Sequence, residues 1–190
     1  KCSIKPEMVR IFPFIFILLW SSAFITTKPI IDNSDPFSAL AFRFFFVALG
    51  FYLFSIYTKH SIAVSKKNLL ESFFSGVLFH GFYLGGVFYS ISIGMPTGIA
   101  ALIVTLQPIL TNALSGSLLG EKVTTKQWVG VLLGFAGAPL VLGMDIGSGI
   151  PMLGLVATVV ALIAITTSTI WQKKLSNNLP LSVSNFYQAV

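Results

Sequence analysis

From Gly98 to Leu119 the chain carries no charged residue, a run slightly longer than the roughly 20 apolar residues with which a helix spans a bilayer. The run is interrupted at its middle by Gln107 and Pro108. Proline has no N–H, so the carbonyl of Val104, four residues earlier, loses its helical donor. In hydrocarbon such a group needs another partner, and the break is tolerated where it faces protein or a wet cavity. At helical spacing Ala101, Thr105, Pro108, Asn112 and Ser115 fall on one stripe, with Gln107 and Thr111 beside it. This stripe is expected to line a polar path through a membrane.

The remainder of the chain agrees with a bilayer as its solvent. Of 190 residues, 55% are hydrophobic and 9% charged, against about 25% charged in soluble domains. Mean hydropathy is +0.87. The expected fold class is all-α: a polytopic helical membrane protein. Cys2 is the one cysteine, so no internal disulfide forms. No His or Cys cluster has metal-ligand spacing, and neither metal nor cofactor is expected. The net charge of +6 would ordinarily suggest nucleic acid. That reading is rejected because the basic residues alternate between loops as membrane topology requires.

Ile11 to Ile31 is the first span, with Pro13 in its first turn. Basic residues before an apolar run also describe a signal peptide, but this run is too long and five further apolar segments follow. Asp32 to Pro36 reads as a turn, Asp35 capping a second helix from Phe37 to Tyr57. A third helix, to about Ile93, is expected to start at an Asn68/Glu71 capping box and carries Gly81 and Gly85 at GxxxG spacing. Gly94 to Thr97 turns into the fourth span, which Gly120 ends. A Thr124/Gln127 box starts the fifth helix, Trp128 to about Met144, in which Gly130, Gly134 and Ala138 permit close contact. After a loop at Asp145, Pro151 opens a sixth helix to about Trp171, and Pro180 to Val190 begins a seventh. The chain starts at Lys1 and stops inside an apolar run, so a fragment of a longer protein is expected.

Ten of the twelve lysines and arginines lie in the amino-terminal tail and in the second, fourth and sixth loops. By the positive-inside rule the amino terminus is cytoplasmic. Asn33, Pro36, Ser38 and Phe42 match Asn177, Pro180, Ser182 and Phe186 with one constant offset, which lays the first helix over the sixth. A five-helix repeat has an odd number of spans, so its second copy enters from the opposite face. Inverted repeats of this kind mark secondary transporters.

Three stretches carry a family resemblance: LLWSSAFITTKPII with DPFSALAFRFFFVAL (Leu18 to Leu49), YSISIGMPTGIAALIVTLQPILTNALSGSLLGEKVTTKQWVGVLLGFAGAPLVL (Tyr89 to Leu142), and the sixth helix. In these the chain resembles the EamA-like branch of the drug/metabolite transporter superfamily. The Leu-Gly-Glu ending of the fourth helix and the Trp-x-Gly opening of the fifth are the most diagnostic parts. The resemblance implies ten helices in two inverted five-helix repeats around a central cavity for small metabolites. It divides the chain into a tail (1–10), a first repeat (11–145) and the start of a second (151–190).

The candidate substrate-binding residues are Trp20, His80, Tyr83, Thr105, Gln107 and Asn112. Gln107 and Pro108 match the family's polar-proline break, and Thr105 and Asn112 share its face. His80 is the one histidine inside a helix, and at three-residue spacing Tyr83 is expected on the same face; buried ionisable groups in membranes default to function. Trp20 stacks on a substrate or fills the core. Arg43, which matches the family's second-helix arginine, is expected to have a structural role, pairing with Asp35 or loop carbonyls, rather than to contact substrate, and Lys28 to snorkel outward. The glycine pairs serve intramolecular packing, or else a homodimer face. Phe42 to Phe46 face lipid or core.

All six acids lie at helix ends or in loops, which argues against a small four-helix multidrug exporter with its first-helix carboxylate. Proton coupling within this chain would have to use His80. No catalytic motif supports an intramembrane enzyme. The expected function is therefore export of a small polar metabolite, such as an amino acid or related compound, by alternating access at the cell inner membrane. The alternative is a non-transporting membrane scaffold or assembly subunit. Expected partners are the small-molecule substrate and the lipid bilayer.

Overall fold

The structure, a computed structural model, describes residues 6–119, 124–126, 128–130, 132–133, 137, 149–176 and 179–190. The side chains of 6–10, 13 and 115–119 stand outside that description, Ser115 of the fourth-span stripe among them. The first helix, α1, spans Pro6–Asn33. It starts earlier than expected because Pro6 takes the first helical position, where a missing N–H costs nothing. Pro13 therefore lies within the helix and not in its first turn. Asp32 and Asn33 belong to the helix as well. Lys28 Nζ donates to Asp32 Oδ1 at 2.7 Å, and Asn33 Nδ2 donates to the Pro29 carbonyl at 2.8 Å, which close its end.

Helix α2 covers Pro36–Tyr57, with Asp35 as N-cap accepting the Ser38 N–H at 2.8 Å. That bond holds the Asp35 carboxyl below the usual carboxylate range. A depressed value means that the cap stabilises the fold above the ordinary carboxylate pKa and is lost as pH falls through the lowered one. Asp35→Ala is expected to lower the thermal midpoint of the purified protein slightly at neutral pH, and Asp35→Asn to restore it. A gap between wild type and Asp35→Ala that persists unchanged into strong acid would contradict this.

Helix α3, Lys66–Ser92, begins one turn earlier than the expected box. Its N-cap is Ser65, whose hydroxyl accepts the Asn68 N–H at 3.3 Å, while Glu71 lies 4.0 Å from Lys67 Nζ. Between Val77 and Leu84 the helix is π-wound, and the Gly85 N–H reaches the His80 carbonyl five residues back. Such bulges rotate everything beyond them relative to an α-helix. Two expectations based on α-spacing fail here for that reason. His80 and Tyr83 face different cavities, and the Gly81/Gly85 pair is not a tight contact: a Cβ on Gly81 would meet nothing within 4 Å, and one on Gly85 only the Phe37 ring at 3.8 Å and the His80 carbonyl oxygen at 3.9 Å.

Gly94 turns the chain at φ +99°, a left-handed conformation suited to glycine. The fourth span follows as two helices, α4 (Thr97–Val104) and α5 (Gln107–Leu119). Of the fifth helix, Trp128 N–H donating to the Thr124 carbonyl at 3.1 Å marks the start. Gly120, Gln127, Gly134, Ala138 and the expected end near Met144 lie outside the described residues. Helix α6, Met152–Leu175, runs a turn beyond Trp171, so Lys173 and Lys174 sit in its last turn, where cations complement the helix dipole. Helix α7 is Leu181–Ala189.

The described residues contain no strand, and five of their segments are long and apolar enough to cross a membrane: Phe14–Asn33, Pro36–Tyr57, Lys66–Ser92, Thr97–Leu114 and Met152–Leu175. Phe42, Phe45 and Phe46 are exposed on α2, as are most apolar side chains of α1. In a bilayer that surface faces lipid. This is a multi-pass membrane protein.

Helix α6 packs against α3, α4 and α5, and α7 against α2 and α3. Lipid is as apolar as leucine, so helices associate through close approach and polar contacts. A Cβ on Gly86 of α3 would come within 3.1 Å of the Ala157 carbonyl oxygen. One helical stretch nearer the chain's basic loops, Ser75 and Ser168 hydroxyls are 3.0 Å apart, Gln172 Nε2 donates to Gln188 Oε1 at 2.8 Å, and Gln188 Nε2 donates to Ser184 Oγ at 2.8 Å.

Helix directions follow from contacts. Ser182, at the start of α7, lies 3.2 Å from His60 Nδ1 just beyond α2, and Gln188 shares a groove with Phe37 and Leu40 at the start of α2. The two helices are antiparallel. Lys28 of α1 lines a cleft with Thr97, while Gly154 of α6 approaches Met95 at 3.3 Å, so α1 ends where α6 begins. Lys59, Lys66 and Lys67 thus share one end of the molecule with Lys173 and Lys174.

Candidate functional site

Helices α1, α2 and α3 enclose a cavity of about 70 Å³ lined by Trp20, Phe24, Thr27, Arg43, Phe79 and Tyr83, with further apolar residues of α3. Trp20 and Tyr83 lie nearly parallel, with ring centroids 6.3 Å apart and planes 7° off. Phe79 meets Tyr83 edge-on at 5.3 Å, and Phe16 tilts against Trp20 at 5.5 Å. Phe79 and Tyr83, four residues apart, share a face in either winding, while the π-winding swings His80 away from Tyr83.

Trp20 also walls a larger cleft of about 430 Å³ with Ser21, Lys28, Thr97, Ala101 and Thr105. The break in the fourth span lies at its edge. Thr105 N–H still donates to the Ala101 carbonyl at 2.9 Å, and Leu106 N–H tightens to the Ile103 carbonyl at 3.1 Å. Pro108 supplies no donor for Val104, and the chain restarts as α5. Thr105 Oγ1 donates to the Leu102 carbonyl at 2.7 Å, and Thr27 Oγ1 to the Ala23 carbonyl at 2.7 Å. Each hydroxyl has its one proton committed and its lone pairs left as acceptors beside the cavities.

The restart turns Gln107 the other way. Its Nε2 donates to Thr111 Oγ1 at 3.0 Å and to Thr169 Oγ1 of α6 at 3.2 Å. Gln107 therefore stands on the seam between α5 and α6. Asn112, also on α5, is half-buried and partnered. His80 lies between Phe44 at 4.4 Å and Phe79 at 5.1 Å, and its buried Nδ1 has no hydrogen-bond partner among the described residues. It lines a third cavity, of about 220 Å³, with Arg43, Phe51 and Asn185. Of the six candidates, then, Trp20, Tyr83 and Thr105 come together around adjoining chambers. Gln107 and Asn112 share the α5 side, and His80 stands apart on α3.

Arg43 does not pair with Asp35, whose carboxylate is taken by the Ser38 N–H. The two ion pairs among the described residues are Lys28–Asp32 and Lys67–Glu71, both near helix ends. Lys28 is therefore paired rather than merely reaching for water. Arg43 is exposed, and its side chain borders the cavity between α1 and α3 instead. The signal for this was present in the sequence, since a guanidinium two turns inside an apolar helix needs a wet or anionic neighbour. The serine and glutamine network around Ser75, Ser168, Gln172 and Gln188 had a fainter one, small residues at three- and four-residue spacing on α3 and α6. No group of three or more His, Cys, Asp or Glu able to hold a metal occurs among the described residues.

The sequence model of the EamA-like transporter family matches residues 9–143. A "Probable amino-acid metabolite efflux pump" of Escherichia coli (strain K12) is 26% identical over 163 residues, covering 85% of this chain and 52% of that protein. The "Uncharacterized transporter YvbV" of Bacillus subtilis (strain 168) is 22% identical over 161 residues, covering 83% of this chain and 51% of its own length. The "Uncharacterized inner membrane transporter YedA" of Escherichia coli (strain K12) is 26% identical over 124 residues, covering 65% and 40%. No solved structure matches the chain. The chain spans about half the length of the first two relatives.

Proposed function

Because the chain belongs to the EamA-like transporter family, and is thus a transporter rather than an enzyme, we propose that it forms part of a secondary transporter exporting a small polar metabolite, an amino acid or a related compound. The relatives' names support that substrate class and the inner membrane as the site. The lysine distribution supports a cytoplasmic amino terminus.

The observation that carries the reading is the pair of adjoining chambers around Trp20, bounded on one side by the broken fourth span. Transporter sites of this kind lie near the midplane, beside discontinuous helices and between inverted repeats. Antiparallel α2 and α7, together with opposed α1 and α6, support a first repeat over 11–145 and a second beginning in 151–190. In this reading the solute packs against the aromatic wall of Trp20 and Tyr83, and Thr105 accepts a hydrogen bond from it. Gln107 and Asn112 sit on the seam that slides as the chambers open and close, and His80 is the group available for proton coupling.

The test is transport by the full-length protein in liposomes with a panel of labelled amino acids. Wild type is expected to move at least one of them. Trp20→Ala should cut that flux about 3- to 10-fold, the scale of a lost aromatic stack, while eluting as wild type on gel filtration. A scaffold would show no flux of any solute, and that result would sink the proposal.

A further inference from the structure

Arg43 lies about 10 Å along the α2 axis from Pro36, inside a membrane span, and no described acid faces it. Asp32 is bound by Lys28, Asp35 caps Ser38, and Glu71 lies beside Lys67. Three cavities meet at this side chain. One of about 70 Å³ holds Trp20 and Tyr83, one of about 270 Å³ opens past Thr26 and Ile30, and one of about 220 Å³ reaches His80 and Asn185. An intramembrane charge is retained where it pairs with a counter-charge or lines a solute path. Guanidinium offers five donors and no acceptor, and its planar fork matches a carboxylate through two parallel bonds. The surrounding groups suit the rest of a small organic acid. The Trp20–Tyr83 stack supplies a flat apolar wall, and Thr27 adds an acceptor on α1.

We propose that Arg43 anchors the carboxylate of the transported solute, which makes the substrate class small carboxylic acids, amino acids included, and excludes organic cations. The inference rests on the transporter reading above and adds to it the charge-recognising residue. An unpaired cation at the chamber wall repels cationic solutes as well as attracting anions.

The experiment compares the protein amino acids with their own carboxamides as competitors for flux by the full-length protein in liposomes. In wild type each acid is expected to compete about 10- to 100-fold better than its amide, the scale of a hydrogen-bonded charge pair. In Arg43→Gln the acid should weaken to the level of the amide, and the amide should be unaffected. A merely structural arginine would lower both alike. Should Arg43→Gln not fold, Arg43→Lys carries the comparison, since it keeps the charge and loses the fork; intermediate discrimination is expected, and unaltered discrimination overturns the assignment. Liposomes made with and without phosphatidylglycerol separate the two sources of anion. If Arg43 holds a lipid phosphate, its loss matters only with the anionic lipid and leaves acid-over-amide preference intact. Wild-type flux that treats acids and amides equally overturns the role of Arg43 but leaves the transporter reading standing, whereas absence of all flux defeats both.

Discussion

Gly76→Ala is expected to destabilise the full-length protein by about 1–3 kcal/mol, the cost of overpacking a close contact. A Cβ at this position would overlap the carbonyl oxygen of Gln188 and lie 2.8 Å from its Cα. Both obstacles are backbone, so no side chain can swing aside. The neighbouring bonds among Ser75, Ser168, Gln172 and Gln188 hold α3, α6 and α7 in register and resist any separation. Helix propensity acts with the opposite sign, since alanine is favoured over glycine by about 1 kcal/mol in a helix interior. Sterics decide the outcome at Gly76. At Gly81, where a Cβ meets nothing within 4 Å, only the propensity remains and Gly81→Ala should be neutral or slightly stabilising. Thermal stability followed by gel filtration of the two variants is the measurement. If they melt together, the α3–α7 contact is not as close as described.

The contrast between these glycines marks where sequence reasoning holds and where it stops. Apolar runs of spanning length, and turns such as Asp35-Pro36 and Gly94, are legible because each is a local effect of propensity, capping or backbone conformation. Alternation of charge between loops is likewise local, and the structure gathers Lys59, Lys66, Lys67, Lys173 and Lys174 at one end. The π-winding of Val77–Leu84 is different. It lies where α3 packs against α6 and α7, and no residue in the segment announces it. Once present, it moves His80 and Tyr83 to different cavities, and the close-contact glycines of α3 are Gly76 and Gly86 rather than Gly81 and Gly85. Gln107 shows the same limit on a smaller scale. Its polarity at mid-span points to the chamber wall, but whether it faces the chamber or Thr169 depends on where the helix restarts after Leu106. For Arg43 the sequence points to Asp35 or loop carbonyls, but the Asp35 carboxylate is committed to the start of its own helix.

Pro108→Ala should have the opposite pattern to Gly76→Ala, with stability kept or raised and transport lost. Alanine at 108 supplies an N–H for the Val104 carbonyl and removes the ring that clashes with it, and a helix-interior proline disfavours the straight helix by about 3 kcal/mol. Removing that penalty biases the fourth span toward one continuous helix by up to about 100-fold in population. The bent form holds Thr105 on the cleft shared with Trp20 and Gln107 on the α6 seam, because α4 and α5 meet at a step rather than in register. Alternating access requires the protein to occupy both open forms with comparable free energy, and a ligand shifts only an equilibrium that is already near balance. A span locked straight would therefore slow turnover by up to the same factor of about 100. Flux in liposomes and thermal stability are to be measured on the same preparation. Unimpaired transport by a more stable Pro108→Ala protein would show that the break merely accommodates packing against α6 and takes no part in the transport cycle.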